Sequence, residues 1–278
     1  MPRFRLLAVD VDGTLVNSNH ELTERTRQAL LRAKQAGVEI VLATGRRYSR
    51  VLPLVEPLEL NVPLITASGA LVKRAADHAT LFRAAFNPGA LEQCLCVIDE
   101  SGYEAVLYAD TFEQGYDFYC ATLDTGSAAL AEFLNHNRRF ARIHAGLIAQ
   151  PPTGVFGGFA MGSKNEMLAL KSELEHRLPE QFYIHVLRSP RFTGFMCEIA
   201  PHGVSKWSAV SRLASHWDIG TDAICAVGDD VNDVPMICAA GLGIAMDNAL
   251  PEVKAVADRI APGHDEDGLA TVVDWLLD

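Results

Sequence analysis

The sequence predicts an α/β chain: a doubly wound (Rossmann-like), mainly parallel sheet core that carries an inserted α+β domain. Three observations predict it. Apolar runs of strand length recur at 6–9, 38–43, 63–67 and 223–227, and each ends in small polar or acidic residues. Such continuous runs suit strands buried on both faces, as in parallel sheets. Amphipathic segments separate the first three runs, giving the β, α, β, α, β order of a doubly wound sheet with right-handed crossovers. This rhythm breaks near Phe86 and returns near residue 196, which places an α+β insert at 86–195 between core segments 1–85 and 196–278. A chain of 278 residues with 49% hydrophobic composition has the length for one large domain or two smaller ones and the means to bury a sizeable core.

The first run, Leu6-Leu7-Ala8-Val9, leads into Asp10-Val11-Asp12-Gly13-Thr14-Leu15. In a strand, positions i and i+2 share a face, so Asp10 and Asp12 are expected to point together into a site at the strand's C-terminal edge. Gly13 lets the chain turn there. Two close carboxylates repel one another and are stable together only with a bound cation, a retained proton, or both. Hard oxygen ligands with no His or Cys beside them point to Mg²⁺. A solvated surface turn is the alternative, and the apolar strand feeding the pair argues against it.

The remaining elements follow in order. Thr23 is placed to cap a helix from Glu24 to Ala36 with an Ala29, Leu30, Ala33 face, stopped by Gly37. The strand 38–43 delivers Thr44-Gly45-Arg46, a hydroxyl and backbone N–H groups ahead of a helix at 47–54, which suits a phosphate. The strand 63–67 ends in Ser68-Gly69-Ala70. Within the insert, helices are expected at 88–100, 127–135 and, from the capping box Ser163-Lys164-Asn165-Glu166, to about Leu178. Strands are expected at 103–109, 155–161 and 182–187, then, after the turn Ser189-Pro190-Arg191, at 195–200. Gly203-Val204-Ser205-Lys206 opens a helix over 207–214. A lysine there opposes the helix macrodipole, so either a phosphate compensates it or it is a solvated surface residue. The strand 223–227 runs into Gly228-Asp229-Asp230-Val231-Asn232-Asp233, ahead of a helix at 235–240. A short strand at 242–246, a helix at 251–257, the acidic loop His264–Gly268 and a last helix through Trp275 complete the chain.

Composition excludes several roles. There are 24 basic and 35 acidic residues, a net charge of −11, a poor footprint for nucleic acid or an anionic membrane surface. No apolar run reaches membrane-spanning length, and the one after Met1-Pro2-Arg3-Phe4-Arg5 is too short for a secretory leader, so a cytoplasmic location is expected. The six cysteines (Cys94, Cys96, Cys120, Cys197, Cys225 and Cys238) form no CxxC pair and read as reduced core thiols.

Asp10-Val11-Asp12-Gly13-Thr14, Thr44-Gly45-Arg46, Lys206 and Gly228-Asp229-x-x-Asn232-Asp233, in this order, resemble the four motifs of the haloacid dehalogenase-like phosphohydrolases. Within that superfamily the chain is similar to the Cof-type phosphatases, whose large α+β cap lies between the second and third motifs. The resemblance covers both core segments and extends to Gly241–Met246 and Asp265–Ala270; in the insert it rests on placement and coarse pattern.

The resemblance implies a Mg²⁺-dependent phosphatase acting on small phosphate esters, sugar phosphates among them, as a monomer or homodimer. It implies Asp10 as the nucleophile that forms an aspartyl-phosphate, and Asp12 as general acid and then base, its pKa raised by Asp10 and by burial. It implies that Asp10, Asp12 through its backbone carbonyl, and Asp229 hold the metal. Asp233 would orient Lys206 or a metal-bound water. Thr44, Gly45, Lys206 and Asn232 would hold phosphate oxygens, with Arg46 steering the anion. Substrate selection would fall to the cap, with His185, Arg188 and Arg191 as candidates. The chain departs from the pattern at Ser68, where Asn is usual, and at Trp207, where Gly is common; helix packing accounts for Trp207. A phosphomutase using the same phosphoenzyme, or a non-catalytic binding module on the same fold, are the rival readings.

Overall fold

The computed structural model describes residues 3–58, 61–189 and 192–278. The chain divides into two compact units, Met1–Phe82 with Ser205–Asp278, and Arg83–Val204.

In the first unit, β1 (Leu6–Asp10) is buried at every position, as its apolar run requires. It is followed by α1 (Glu24–Gln35), β2 (Glu39–Ala43), α2 (Tyr48–Val55), β3 (Pro63–Thr66), β4 (Leu71–Arg74) and β5 (Thr80–Arg83). The cap of α1 is as expected: the Thr26 N–H donates to Thr23 Oγ1 at 3.2 Å, and Ala29, Leu30 and Ala33 are buried.

The second unit contains α3 (Pro88–Glu100), β6 (Val106–Ala109), β7 (Phe118–Cys120), α4 (Ala128–Asn137), β8 (Ala141–Ile143), β9 (Val155–Gly162), α5 (Lys164–Arg177), β10 (Phe182–Arg188) and β11 (Phe195–Pro201). Its strands form a six-stranded sheet, β10-β11-β9-β6-β7-β8, antiparallel except at β7–β8. The helices α3 and α5 bury Leu91, Leu95, Ile98, Met167, Leu170 and Leu174 in one apolar cluster with this sheet's Leu107, Ile184 and Ile199.

The chain then re-enters the first unit with α6 (Lys206–His216), β12 (Ile224–Gly228), α7 (Val234–Ala239), β13 (Leu242–Met246), α8 (Pro251–Lys254), β14 (Arg259–Ala261) and α9 (Gly268–Leu277). Its sheet has eight strands in the order β14-β13-β12-β1-β2-β3-β4-β5. β1 lies between β12 and β2 and is parallel to both. The chain therefore winds one way from β1 through β3 and the other way from β12 through β14. The C-terminal ends of β1 and β12 flank the switch point, where open α/β sheets form their ligand crevice.

Three sequence expectations are corrected. β4 and β5 were not expected. β4 turns back antiparallel on β3 with only Leu71 and Val72 apolar before the charged Lys73 and Arg74, and β5 is an edge strand whose side chains are largely exposed, so neither shows an apolar run of strand length. The boundary at residue 196 falls inside β11, which pairs with β10 on one side and β9 on the other, so the return to the first unit comes at Ser205. All six cysteines are free, but only Cys94, Cys120, Cys197 and Cys225 are buried; Cys96 and Cys238 lie on exposed helix positions. Among the described residues no helix is long and apolar enough to cross a membrane.

Candidate active site

The pairing register brings the two acidic strand ends together. Val9 lies opposite Val227, which puts Asp10 level with Gly228 and next to Asp229. A 3-10 turn, Val231–Asp233, then returns Asp233 beneath them. Gly228 makes this possible, because a Cβ there would lie 2.4 Å from Asp233 Cγ. Gly13, with φ +76°, is needed for the same reason: a Cβ would meet Asp229 Oδ2 at 2.3 Å.

Lys206 is the first residue of α6 and is 2% exposed. Its Nζ donates to Asp10 Oδ1 at 2.5 Å and to Asp233 Oδ1 at 2.7 Å. These two carboxylates offset the macrodipole that opposes a lysine at this position, and the solvated alternative is excluded. Asp233, fully buried, uses its other oxygen to accept the N–H groups of Asp229 and Asp230 at 3.0 and 3.1 Å. Thr14, not singled out from the sequence, donates to Asp229 Oδ1 at 3.2 Å.

Asp10, Asp229 and Asp233 each offer a carboxylate oxygen, and these atoms lie within 4.8 Å of one another. The donor set fits Mg²⁺: hard oxygens, no nitrogen or sulfur, and three carboxylates against one ammonium. When all three are ionised they exceed the charge of Lys206 by two, the charge of one divalent cation. Without it the acids crowd. Burial first, then the charges of Asp233 and Asp229, push Asp10 well above the usual aspartate value, against the pull of Lys206. Burial and Asp233 push Asp229 up to about 7. For Lys206, burial favours the neutral amine, but Asp10 and Asp233 outweigh it and hold the ammonium form.

Asp12 stands apart from this cluster. β1 ends at Asp10, so the shared-face geometry expected of the pair does not extend to Asp12. Arg46 Nε donates to Asp12 Oδ2 at 2.7 Å, and Arg46 Nη2 donates to Oδ1. His20 Nδ1 lies 3.8 Å from the same Oδ1. The Asp12 side chain is 37% exposed. Its carboxylate is thus engaged outside the metal cluster, and the burial expected at Asp12 falls on Asp10 instead. Arg46, expected at the edge of the site, has a side chain only 12% exposed.

The Thr44–Arg46 loop follows β2 and packs against the turn that follows β3. Thr44, 1% exposed, accepts the Arg46 N–H at 3.0 Å, which leaves its own hydroxyl hydrogen to donate. The Ser68 N–H donates to the Thr44 carbonyl at 3.0 Å, and the Ala67 N–H to the Arg46 carbonyl at 2.9 Å. Gly69 packs on the start of α6, where a Cβ would lie 2.1 Å from the Ser205 carbonyl oxygen. Thr44, Gly45, Lys206 and Asn232 thus share one region with Asp10. Trp207 packs half-buried against the apolar cluster that includes Ala209 and Val210. His185 and Arg188 lie on β10 of the other unit, and Arg191 lies outside the described residues. Asn248 was also missed. Its Nδ2 donates to the Gly13 carbonyl at 2.9 Å, and its Oδ1 accepts the His264 N–H at 3.0 Å. Its position just past the C-terminal end of β13, the edge that carries the other site residues, is the signal that would have found it.

The haloacid dehalogenase-like hydrolase family model matches residues 7–273. The chain is 28% identical over 296 residues to Phosphatase YwpJ of Bacillus subtilis, covering 98% of this chain and all (100%) of the relative. It is 26% identical over 289 residues to 5-amino-6-(5-phospho-D-ribitylamino)uracil phosphatase YwtE of the same organism, covering 98% of each. A haloacid dehalogenase-like hydrolase from Bacteroides thetaiotaomicron superposes with a TM-score of 0.79 at 25% identity, covering 98% of this chain and 99% of that one. A match over nearly the whole length, on a chain whose acidic strand ends, buried lysine and Thr44–Arg46 loop meet at one switch point, has one meaning: the chain belongs to the haloacid dehalogenase-like hydrolases, as an enzyme of the Cof-type phosphatase group.

Proposed function

We propose that this chain hydrolyses small phosphate monoesters, sugar or sugar-alcohol phosphates foremost, through an aspartyl-phosphate on Asp10. The observation that carries this reading is the buried Lys206, held at once by Asp10 and Asp233 beside a Mg²⁺-type carboxylate cluster. Simple binding has no need of a buried carboxylate with its own ammonium partner.

In this reading Thr44, the Gly45 N–H, Lys206 and Asn232 hold the phosphoryl oxygens in line with Asp10. The Asp10 carboxylate attacks phosphorus as the ester oxygen departs. Lys206 takes up part of the charge on the transferring group. Asp10, Asp229 and Asp233 would hold Mg²⁺, which when bound would offset the repulsion between carboxylate and phosphate dianion. Asp12 gives a proton to the leaving oxygen and then takes one from the water that opens the aspartyl-phosphate, help typically worth about 10²–10⁴-fold. Arg46 occupies both oxygens of the Asp12 carboxylate, so proton delivery by Asp12 requires the guanidinium to loosen its fork. An anionic substrate competes for that guanidinium and supplies the means.

The relative YwtE is named for a phosphate on a ribityl chain, which supports a primary ester of a polyol as the substrate class. Selection among such esters is assigned to the inserted unit. Purified protein is incubated with p-nitrophenyl phosphate and a panel of sugar and ribityl phosphates, with and without Mg²⁺, beside Asp10→Asn. Phosphate release that needs both Mg²⁺ and Asp10 is the expected result. Release that survives Asp10→Asn overturns the mechanism. Interconversion of sugar phosphate isomers without free phosphate would make the chain a mutase.

A further inference from the structure

Two buried side-chain atoms at the site, Ser68 Oγ and Asn232 Oδ1, have no hydrogen-bond partner among the described residues. Buried hydroxyls and amides in native proteins nearly always find partners, so each such atom needs a cause. Ser68 Oγ and the amide nitrogen end of Asn232 flank Gly45. From the point where a Cβ on Gly45 would sit, Ser68 Oγ is 3.5 Å away and Asn232 Nδ2 is 3.9 Å away. Gly45 therefore leaves a small polar-walled space above its Cα.

The backbone around Ser68 is held in a costly shape. Ala67, Ser68 and Gly69 all have positive φ, at 47°, 54° and 109°. A non-glycine residue in the left-handed region is strained, because its Cβ crowds the neighbouring carbonyl oxygen. Three contacts hold this shape: Ala67 N–H on the Arg46 carbonyl, Ser68 N–H on the Thr44 carbonyl, and Gly69 against the Ser205 carbonyl at the start of α6. The strained turn thus lies between the Thr44–Arg46 loop and the helix that begins with Lys206. Strain of this kind gathers at ligand sites, where the surrounding structure over-determines it.

We propose that Ser68 is a phosphoryl-contacting residue of this enzyme, its hydroxyl donating to an oxygen lodged over Gly45, opposite Asn232. This rests on the phosphate-ester reading above. The Ser68 hydroxyl is the shortest donor that reaches this space from a left-handed backbone position, and it leaves the space open for the anion itself. A hydrogen bond to a charged oxygen is worth about tenfold or more in affinity.

The test uses Ser68→Gly and Ser68→Ala with the wild type, all with Mg²⁺. Inorganic phosphate is titrated as a competitive inhibitor of p-nitrophenyl phosphate turnover, and melting temperature is recorded alongside. Both variants lack the hydroxyl, but only glycine relieves the strain, so Ser68→Gly is expected to melt at or above the wild type. Inhibition by phosphate is expected to weaken about tenfold in both variants. Phosphate inhibition within twofold of wild type in either variant overturns the proposal. So does weakening confined to Ser68→Ala, which would mark backbone strain instead of a lost contact. A wild type that neither turns over the ester nor binds phosphate overturns the phosphatase reading itself, and this proposal with it.

Discussion

Arg46 spans both carboxylate oxygens of Asp12, with Nε at 2.7 Å from Oδ2 and Nη2 on Oδ1. A planar fork of this kind fixes the direction of a carboxylate as well as its charge. Lysine keeps the charge but offers a single point, so it cannot hold both oxygens. Arg46→Lys is therefore expected to lower kcat/KM about tenfold, and Arg46→Ala about a hundredfold, which corresponds to ~1.4 and ~2.7 kcal/mol of transition-state stabilisation. Steady-state kinetics on p-nitrophenyl phosphate check this. Wild-type kinetics in Arg46→Ala would mean that the fork has no part in positioning Asp12.

The crowded carboxylates make the stability of the metal-free protein depend on pH. Asp10 lies well above its ordinary value of 3.8, and Asp229 is raised from that value to about 7. Between those limits the folded chain holds protons that the unfolded chain has released. Stability therefore falls as pH rises from about 4 through the Asp229 range at about 7. Thermal melts in EDTA are expected to show this decline through the Asp229 range, and saturating Mg²⁺ to remove it, because the cation binds the ionised forms. A metal-free melting temperature that rises with pH across this window contradicts the assignment.

Asp233 serves three donors with two oxygens: Lys206 on one, the Asp229 and Asp230 N–H groups on the other. An asparagine has one carbonyl oxygen and one NH₂, so in Asp233→Asn either the ammonium or the two N–H groups must face another donor. Lys206 keeps Asp10, which limits the loss to about 2–4 kcal/mol. Urea unfolding is expected to show a lower midpoint with an unchanged slope, together with weaker Mg²⁺ dependence of turnover. An unchanged midpoint would show that the site tolerates the extra donor.

Gly13 and Gly37 separate strain from collision. Both have positive φ, +76° and +87°, but a Cβ on Gly37 meets nothing within 4 Å, whereas one on Gly13 meets Asp229 Oδ2 at 2.3 Å. Gly37→Ala is expected to cost about 1–2 kcal/mol and leave turnover alone. Gly13→Ala is expected to displace Asp229 and abolish Mg²⁺-dependent turnover. Equal effects on turnover would mean that the Asp229 position is not set by Gly13.

Much of the site was legible because its carriers are local. An apolar run of strand length followed by acids can be read without knowing the partner strand, and Asp10, Thr44 and Asp229 all stand at or just past such runs. Thr23, Ser163 and Glu166 announced their helices because a cap is a contact across three residues. β4 and β5 gave no such signal. One doubles back on β3, the other is an exposed edge, and neither depends on a continuous apolar pattern.

The sequence by itself determined that an α/β core with an α+β insert would carry Asp10 and Asp229 at strand ends, since periodicity, strand length and helix starts are properties of neighbouring residues; Lys206 joined them only through the resemblance of its motif. Only the tertiary structure decided that Lys206 is buried between Asp10 and Asp233, that Asp12 pairs with Arg46 outside the metal cluster, and that β11 joins the sheet of the inserted unit. Each of these joins residues far apart in the chain. Which distant partner a charge or a strand edge finds is set by register and by the room that glycines such as Gly13 and Gly228 leave for close approach, and a linear pattern carries neither.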